Sequence, residues 1–127
     1  MQAAASLVAI VDDEESVRRA LGRLLRSAGF DVQTYASGPD FLHSLARSVP
    51  QCVVLDLRMP RMNGFDVQAA LAEARANVPV VIITGDDSTE SRERTLGRGA
   101  IAYLRKPVDE EMLLDAIQNA ITPHPEC

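Results

Sequence analysis

Two cysteines in 127 residues, Cys52 and Cys127, cannot form the disulfide framework that staples small secreted domains. Cys52 sits inside an apolar run, and both read as reduced thiols of a cytosolic protein. Positive charge is also scarce. Thirteen basic residues against eighteen acidic ones leave a net charge of −5, which removes the electrostatic support for direct nucleic-acid binding by this domain, though not for attachment to a separate DNA-binding module. No apolar run approaches the roughly 20 residues of a membrane span. The first, Ala3 to Val11, has no positive charge before it and meets Asp12–Glu15 at once, so it lacks the layout of a signal peptide. It reads as a buried strand of a soluble, cytoplasmic protein with no membrane role. Lysine is almost missing: twelve arginines accompany the single Lys106. Such a bias commonly follows genome composition, but it draws attention to the one position that kept a compact ammonium, because the two cations are not interchangeable at a tight site.

With 46% apolar residues, the chain has what one globular core needs. The expectation is a single domain over 1–127, with a core of about 5–121 and a tail from 122 to 127 that contains two prolines. Leu7–Val11, Cys52–Leu55, Val80–Thr84 and the shorter Ile101–Leu104 are continuous apolar runs, the pattern of strands buried on both faces. Phe30–Tyr35 alternates Phe30, Val32 and Thr34 with Asp31 and Gln33, which predicts a half-exposed edge strand. Between them, Val17, Ala20, Leu21, Leu24, Leu25 and Ala28 recur at helical spacing and Gly29 closes the helix. A short helix covers Pro39 to Arg47, another carries Val67, Ala70, Leu71 and Ala74 after Gly64, and the last carries Leu113, Ala116, Ile117, Ala120 and Ile121 with acids in its first turn. Ser88–Arg98 should be the fourth helix by position, yet its only large apolar residue is Leu96. No repeat, linker or low-complexity tract interrupts the series.

Strict alternation of strand and helix predicts an α/β fold, a five-stranded parallel sheet with helices on both faces. The order 2-1-3-4-5 is carried over from doubly wound sheets in general; it places strands 1 and 3 at the point where the winding reverses, beyond whose carboxyl ends ligands bind. Strand 1 is followed by Asp12-Asp13-Glu14-Glu15, strand 3 runs into Asp56, strand 4 ends in Thr84, and strand 5 runs Tyr103-Leu104-Arg105-Lys106-Pro107. Each has an ordinary explanation: acids cap helices, Thr84 suits a strand, and Lys106 suits solvent. Together they put carboxylates, a hydroxyl and the sole lysine on one rim. Clustered carboxylates need a proton or a cation, and Mg²⁺ is held by one or two carboxylates with positions left for water and phosphate. An aspartate beside such an ion is a candidate nucleophile for an acyl phosphate, with Thr84 and Lys106 placed to neutralise phosphoryl oxygens.

The segments Val11-Asp12-Asp13-Glu14, Leu55-Asp56-Leu57-Arg58-Met59-Pro60, Asn63-Gly64, Ile82-Ile83-Thr84-Gly85 and Lys106-Pro107 resemble the receiver domain of two-component response regulators, closest to the FixJ-like group. The resemblance implies that Asp56 accepts a phosphoryl group from a sensor histidine kinase or a histidine phosphotransfer protein. It implies Mg²⁺ held by Asp13, Asp56 and the backbone carbonyl of Arg58, with Asp12 reaching it through water. It makes Lys106 the phosphate-binding lysine and Thr84 and Tyr103 the switch pair. A regulatory protein is thus expected, not an enzyme beyond assisting its own phosphorylation and dephosphorylation. Its conformational change would control an output domain or downstream protein, with phosphorylation-dependent dimerisation as one route. No output domain falls within the 127 residues, which suits a single-domain regulator and the receiver of a longer one alike. Arg58 and Asp86, each two residues past a site residue, are expected to pair across the mouth. The fourth helix departs from the family: Arg92 and Thr95 stand where similar receivers carry small apolar residues, with Gly97 and Arg98 behind. A helix packed only through Leu96 and aliphatic stems would be loosely held or await a partner. Three rivals stand beside this reading. An aspartate-nucleophile phosphatase would want its nucleophile on the first strand. A flavodoxin-type binder would want a hydroxyl- and glycine-rich loop where Asp12–Glu15 stands. A binding-only receiver would not need the complete residue set.

Overall fold

Residues 6–86 and 88–122 of the computed structural model run β1 (Leu7–Val11), α1 (Glu15–Ser27), β2 (Asp31–Tyr35), α2 (Gly38–Ser44), β3 (Cys52–Asp56), α3 (Gly64–Glu73), β4 (Val80–Thr84), α4 (Thr89–Gly97), β5 (Ala102–Arg105) and α5 (Glu110–Ile121). All four neighbouring pairs are parallel, and the sheet order is β2-β1-β3-β4-β5. Because side chains alternate faces along a strand, each continuous apolar run feeds two cores. Val8, Ile10, Cys52, Val54, Val81, Ile83 and Leu104 pack under α1 and α5 against Leu21, Leu25, Leu113 and Ile117. Ala9, Val11, Val53, Leu55, Val80, Ile82 and Tyr103 face the other way, against Phe41 of α2 and Phe65, Val67 and Leu71 of α3. The expected tail, including Cys127, lies outside the described residues apart from Thr122, as does the start of the first apolar run.

Local chemistry sets the helix ends. Gly29 takes φ +98°, and the N–H groups of Gly29 and Phe30 donate to Arg26 and Leu25, closing α1 where the sequence placed its end. Asn63 and Asp66 form a reciprocal capping box on α3. Gly64 is required there: a Cβ would sit 2.9 Å from Leu57 Cα and 3.0 Å from the Asp56 carbonyl oxygen.

Four expectations shift. β5 begins one residue later than Ile101, which is exposed, and α2 ends at Ser44 instead of Arg47. On the edge strand β2 only Val32 is buried, and Thr34 faces solvent. The largest correction concerns α4. Its buried residues are Ser91 and Thr95, not Leu96. Thr95 is fully buried because its hydroxyl donates back to the Ser91 carbonyl at 3.0 Å, leaving its methyl for the interior. Gln68 of α3 then donates through Nε2 to the Thr95 carbonyl at 3.1 Å, and the Arg94 guanidinium lies 3.8 Å over the Phe65 ring. This helix is clasped by polar and cation–π contacts, which a search for apolar spacing cannot detect.

Candidate functional site

The sheet register assembles the rim. Val11 lies opposite Leu55, so the next residues, Asp12 and Asp56, leave adjacent strands side by side. Thr84 lies opposite Arg105, and the Lys106 N–H donates to the Thr84 carbonyl at 2.8 Å. One carboxylate oxygen from each of Asp12, Asp13 and Asp56 falls within 4.8 Å of the others. Asp12 and Asp56 are 0% and 2% exposed, while Asp13 faces solvent. The Lys106 ammonium stands 2.8 Å from Asp12 Oδ2, 3.3 Å from Glu14 Oε1 and 3.5 Å from Asp56 Oδ1. Five expected residues thus meet at one point, with Glu14 added. Glu14 occupies the N-cap position of α1 but makes no side-chain cap; its carboxylate turns to Lys106 instead. That disposes of helix capping as the reason for the acids after β1.

Asp56 is the perturbed group. Burial, then the neighbouring Asp12 charge, raise its pKa to about 7 from an ordinary 3.8, against the pull of Lys106 and the Arg58 N–H. Burial alone would lower Lys106, but the Asp12, Asp56 and Glu14 carboxylates outweigh it and the net direction is upward. One ammonium shared among three carboxylates leaves the cluster under-neutralised. Asp12 Oδ2 is buried with that ion pair as its contact and accepts no aligned hydrogen bond. A set of hard oxygen donors, two of them withdrawn from water, fits a small divalent cation.

At the mouth, Arg58 and Asp86 form the expected side-chain ion pair, both about half exposed. Asp86 does more than the sequence indicated. Its N–H donates to Thr84 Oγ1 at 3.0 Å, and its carbonyl accepts the Tyr103 hydroxyl at 2.8 Å. The Tyr103 ring is already inside, 6% exposed, with Arg92 at 5.8 Å over its face. Elsewhere Cys52 is a buried free thiol, which burial pushes up to about 12 and so keeps unreactive. Lys106 and Pro107 are joined by a cis peptide, which the sequence did not announce. Among the described residues no helix is long and apolar enough to cross a membrane.

A doubly wound 2-1-3-4-5 sheet with three carboxylates and a lysine on its carboxyl rim defines a class, and the comparisons agree with it. The response regulator receiver domain matches residues 8–118, and the chain belongs to that family, the regulatory module of two-component signal transduction. It is 38% identical over 122 residues to the response regulator protein TodT of Pseudomonas putida, covering 96% of this chain and 54% of that protein. The structure of the response regulator StyR matches with a TM-score of 0.83 and 42% identity, over 93% of this chain and 60% of that one. FixJ-N matches with a TM-score of 0.87 and 31% identity over 100% of both chains, in keeping with the FixJ-like resemblance. The chain spans about half the length of the curated relatives it matches. Family membership sets aside the phosphatase and the flavodoxin-type binder.

Proposed function

We propose that this domain is a phosphorylation switch in which Asp56 is the acceptor, Mg²⁺ the cofactor and a phosphohistidine protein the donor. The observation that carries it is the meeting of Asp12, Asp13 and Asp56 within 4.8 Å of one another beside Lys106. An ionised Asp56 oxygen forms the new P–O bond as the donor's P–N bond breaks, and imidazole leaves. Asp56 attacks only when ionised, and burial keeps it partly protonated near neutrality. Asp12, Asp13, Asp56 and the Arg58 carbonyl are the groups that would hold Mg²⁺, which supplies charge neutralisation for the carboxylates and the phosphoryl oxygens. Lys106, 18% exposed at its side chain, is close enough to turn from Asp12 to a phosphoryl oxygen, and the Thr84 hydroxyl proton is available to another. A complete set of acceptor, acids, hydroxyl and ammonium favours turnover over a binding-only receiver.

A groove of about 300 Å³ beside Lys106, lined by Val17, Ala20, Leu21, Leu24, Pro107 and Val108, gives a helix of the donor an apolar seat next to the acceptor. The output, a linked domain or a separate protein, would read Thr84, Tyr103 and α4, and the expected sensor kinase or phosphotransfer protein supplies the input. The test is incubation with acetyl phosphate and Mg²⁺ followed by intact mass. One phosphoryl group per chain is expected, absent in Asp56→Asn. Labelling that persists in Asp56→Asn overturns the assignment.

A further inference from the structure

Far from the rim residues, a cleft of about 240 Å³ opens between α3 and the turn after α4, bounded below by the entry to β4. Three features of its lining point the same way. Gln68 is 6% exposed and spends its amide nitrogen on the Thr95 carbonyl, while its Oε1 lines the cleft with no partner. A buried acceptor without a donor is costly enough that such groups are nearly always satisfied. Beyond it the walls are apolar: Leu71, Val78 and Val80, all under 9% exposed. At the rim stands Arg98, an exposed guanidinium with no ion-pair partner among the described residues. Gln68 and Arg98 are close neighbours, since the Thr95 carbonyl accepts both the Gln68 side chain and the Arg98 backbone N–H.

We propose that this cleft is a ligand site for a small carboxylic acid that carries a hydroxyl donor at the far end of an apolar body. The donor satisfies Gln68 Oε1, the body lies on Leu71, Val78 and Val80, and the carboxylate meets Arg98. Such a ligand bridges α3 to the end of α4, the helix held at this point by the Gln68 clasp, and so fixes α4 from the side opposite the carboxylate rim. Nothing in the proposal involves Asp56, and its failure would leave the phosphorylation reading untouched.

The probe is 4-hydroxybenzoate, titrated into the unphosphorylated protein and followed by amide chemical shifts. Saturable shifts are expected at the Gln68 side-chain amide and at the backbone of Val78, Arg98 and Gly99. Benzoate, which lacks the donor, should bind threefold to tenfold more weakly, the range for loss of one hydrogen bond. Gln68→Met removes the acceptor at nearly constant volume, and the Thr95 carbonyl keeps the N–H groups of Arg98 and Ala100 at 3.2 and 3.1 Å. In that variant the two acids should bind equally. Ala72→Phe, at an exposed position lining the cleft, should block both. The proposal is overturned by an absence of saturable shifts at these residues, by equal affinity of the two acids for the unmodified protein, or by binding that survives Ala72→Phe.

Discussion

Holding Asp56 ionised inside the metal-free protein should cost stability, and the cost should depend on pH. Its folded pKa is about 7 against 3.8 for an ordinary aspartate, a difference of about three units, or on the order of 4 kcal/mol at ~1.36 kcal/mol per unit. Above pH 7 the carboxylate is charged in both states and the native state bears the whole penalty. As pH falls through 7 the folded chain takes up a proton that the unfolded chain does not bind until near 3.8. Stability therefore rises towards acid, with a limiting slope of roughly 1.4 kcal/mol per pH unit, and levels off below about pH 4. Asp56→Asn removes the titration and keeps an oxygen to accept the Arg58 N–H, which lies 3.3 Å from Asp56 Oδ1. In urea denaturation with chelator present, the variant should exceed the unmodified protein by about 4 kcal/mol at pH 8, and the gap should narrow by roughly 2–3 kcal/mol at pH 5. Millimolar Mg²⁺ at pH 8 should close it from the other side, because an ion bound to the native state alone stabilises by mass action, and Asp13→Ala should blunt that response. A gap that stays constant between pH 5 and 8 would falsify the account of Asp56 as a carboxylate strained by burial.

Replacing both Arg58 and Asp86 with Ala should shorten the lifetime of the acyl phosphate by a modest factor, since an exposed pair is worth under about 1 kcal/mol; an equal or longer half-life of phosphorylated protein by mass would count against shielding. Arg61 sits at φ +68° in a tight turn where the Met62 N–H bonds back to the Pro60 carbonyl, so Arg61→Gly should raise stability in urea by about 0.5–1 kcal/mol, and a loss would show that the arginine side chain holds the loop. Thr84→Ala should still bind beryllofluoride but lose the amide shift changes in α4 that the unmodified protein shows; their survival would mean that the signal bypasses the threonine.

The sequence made the sheet legible because parallel strands buried on both faces are continuous apolar runs, and because Gly29, Asn63 and Gly64 punctuate the helices with residues chosen for one conformation. It made most of the site legible for a topological reason. In a doubly wound sheet the residue after each strand lands on the same rim, so Asp12, Asp56, Thr84 and Lys106 could be brought together by counting. What escaped notice depends on partners distant in the chain. Glu14 differs from its neighbouring acids only in reaching a lysine 92 residues away. Gln68 looks like any polar helix residue until α4 is laid beside it. The burial of Ser91 and Thr95 inverts the usual sign of the pattern, since a hydroxyl that bonds its own helix can face the interior as a small apolar group does.

The position of Tyr103 bears on what phosphorylation would have to do. If the ring had to move inward only after Thr84 moved, the phosphoryl group would supply the whole difference between two arrangements. Here the ring is buried already and its hydroxyl is bound to the Asp86 carbonyl. Thr84 Oγ1 serves as an acceptor from the Asp86 N–H, which uses a lone pair and leaves the hydroxyl proton unspent. On the proposed reading, a phosphoryl oxygen would collect that proton without breaking either bond, adding about 1.5–3 kcal/mol for a hydrogen bond to a charged acceptor. That falls short of the ~5.5 kcal/mol needed to invert a 1:99 population, but it is ample to consolidate an arrangement already formed. The switch would then lie less in the ring than in α4, whose hold on the body depends on Gln68, Arg94 and the Asp86 turn more than on a hydrophobic stripe.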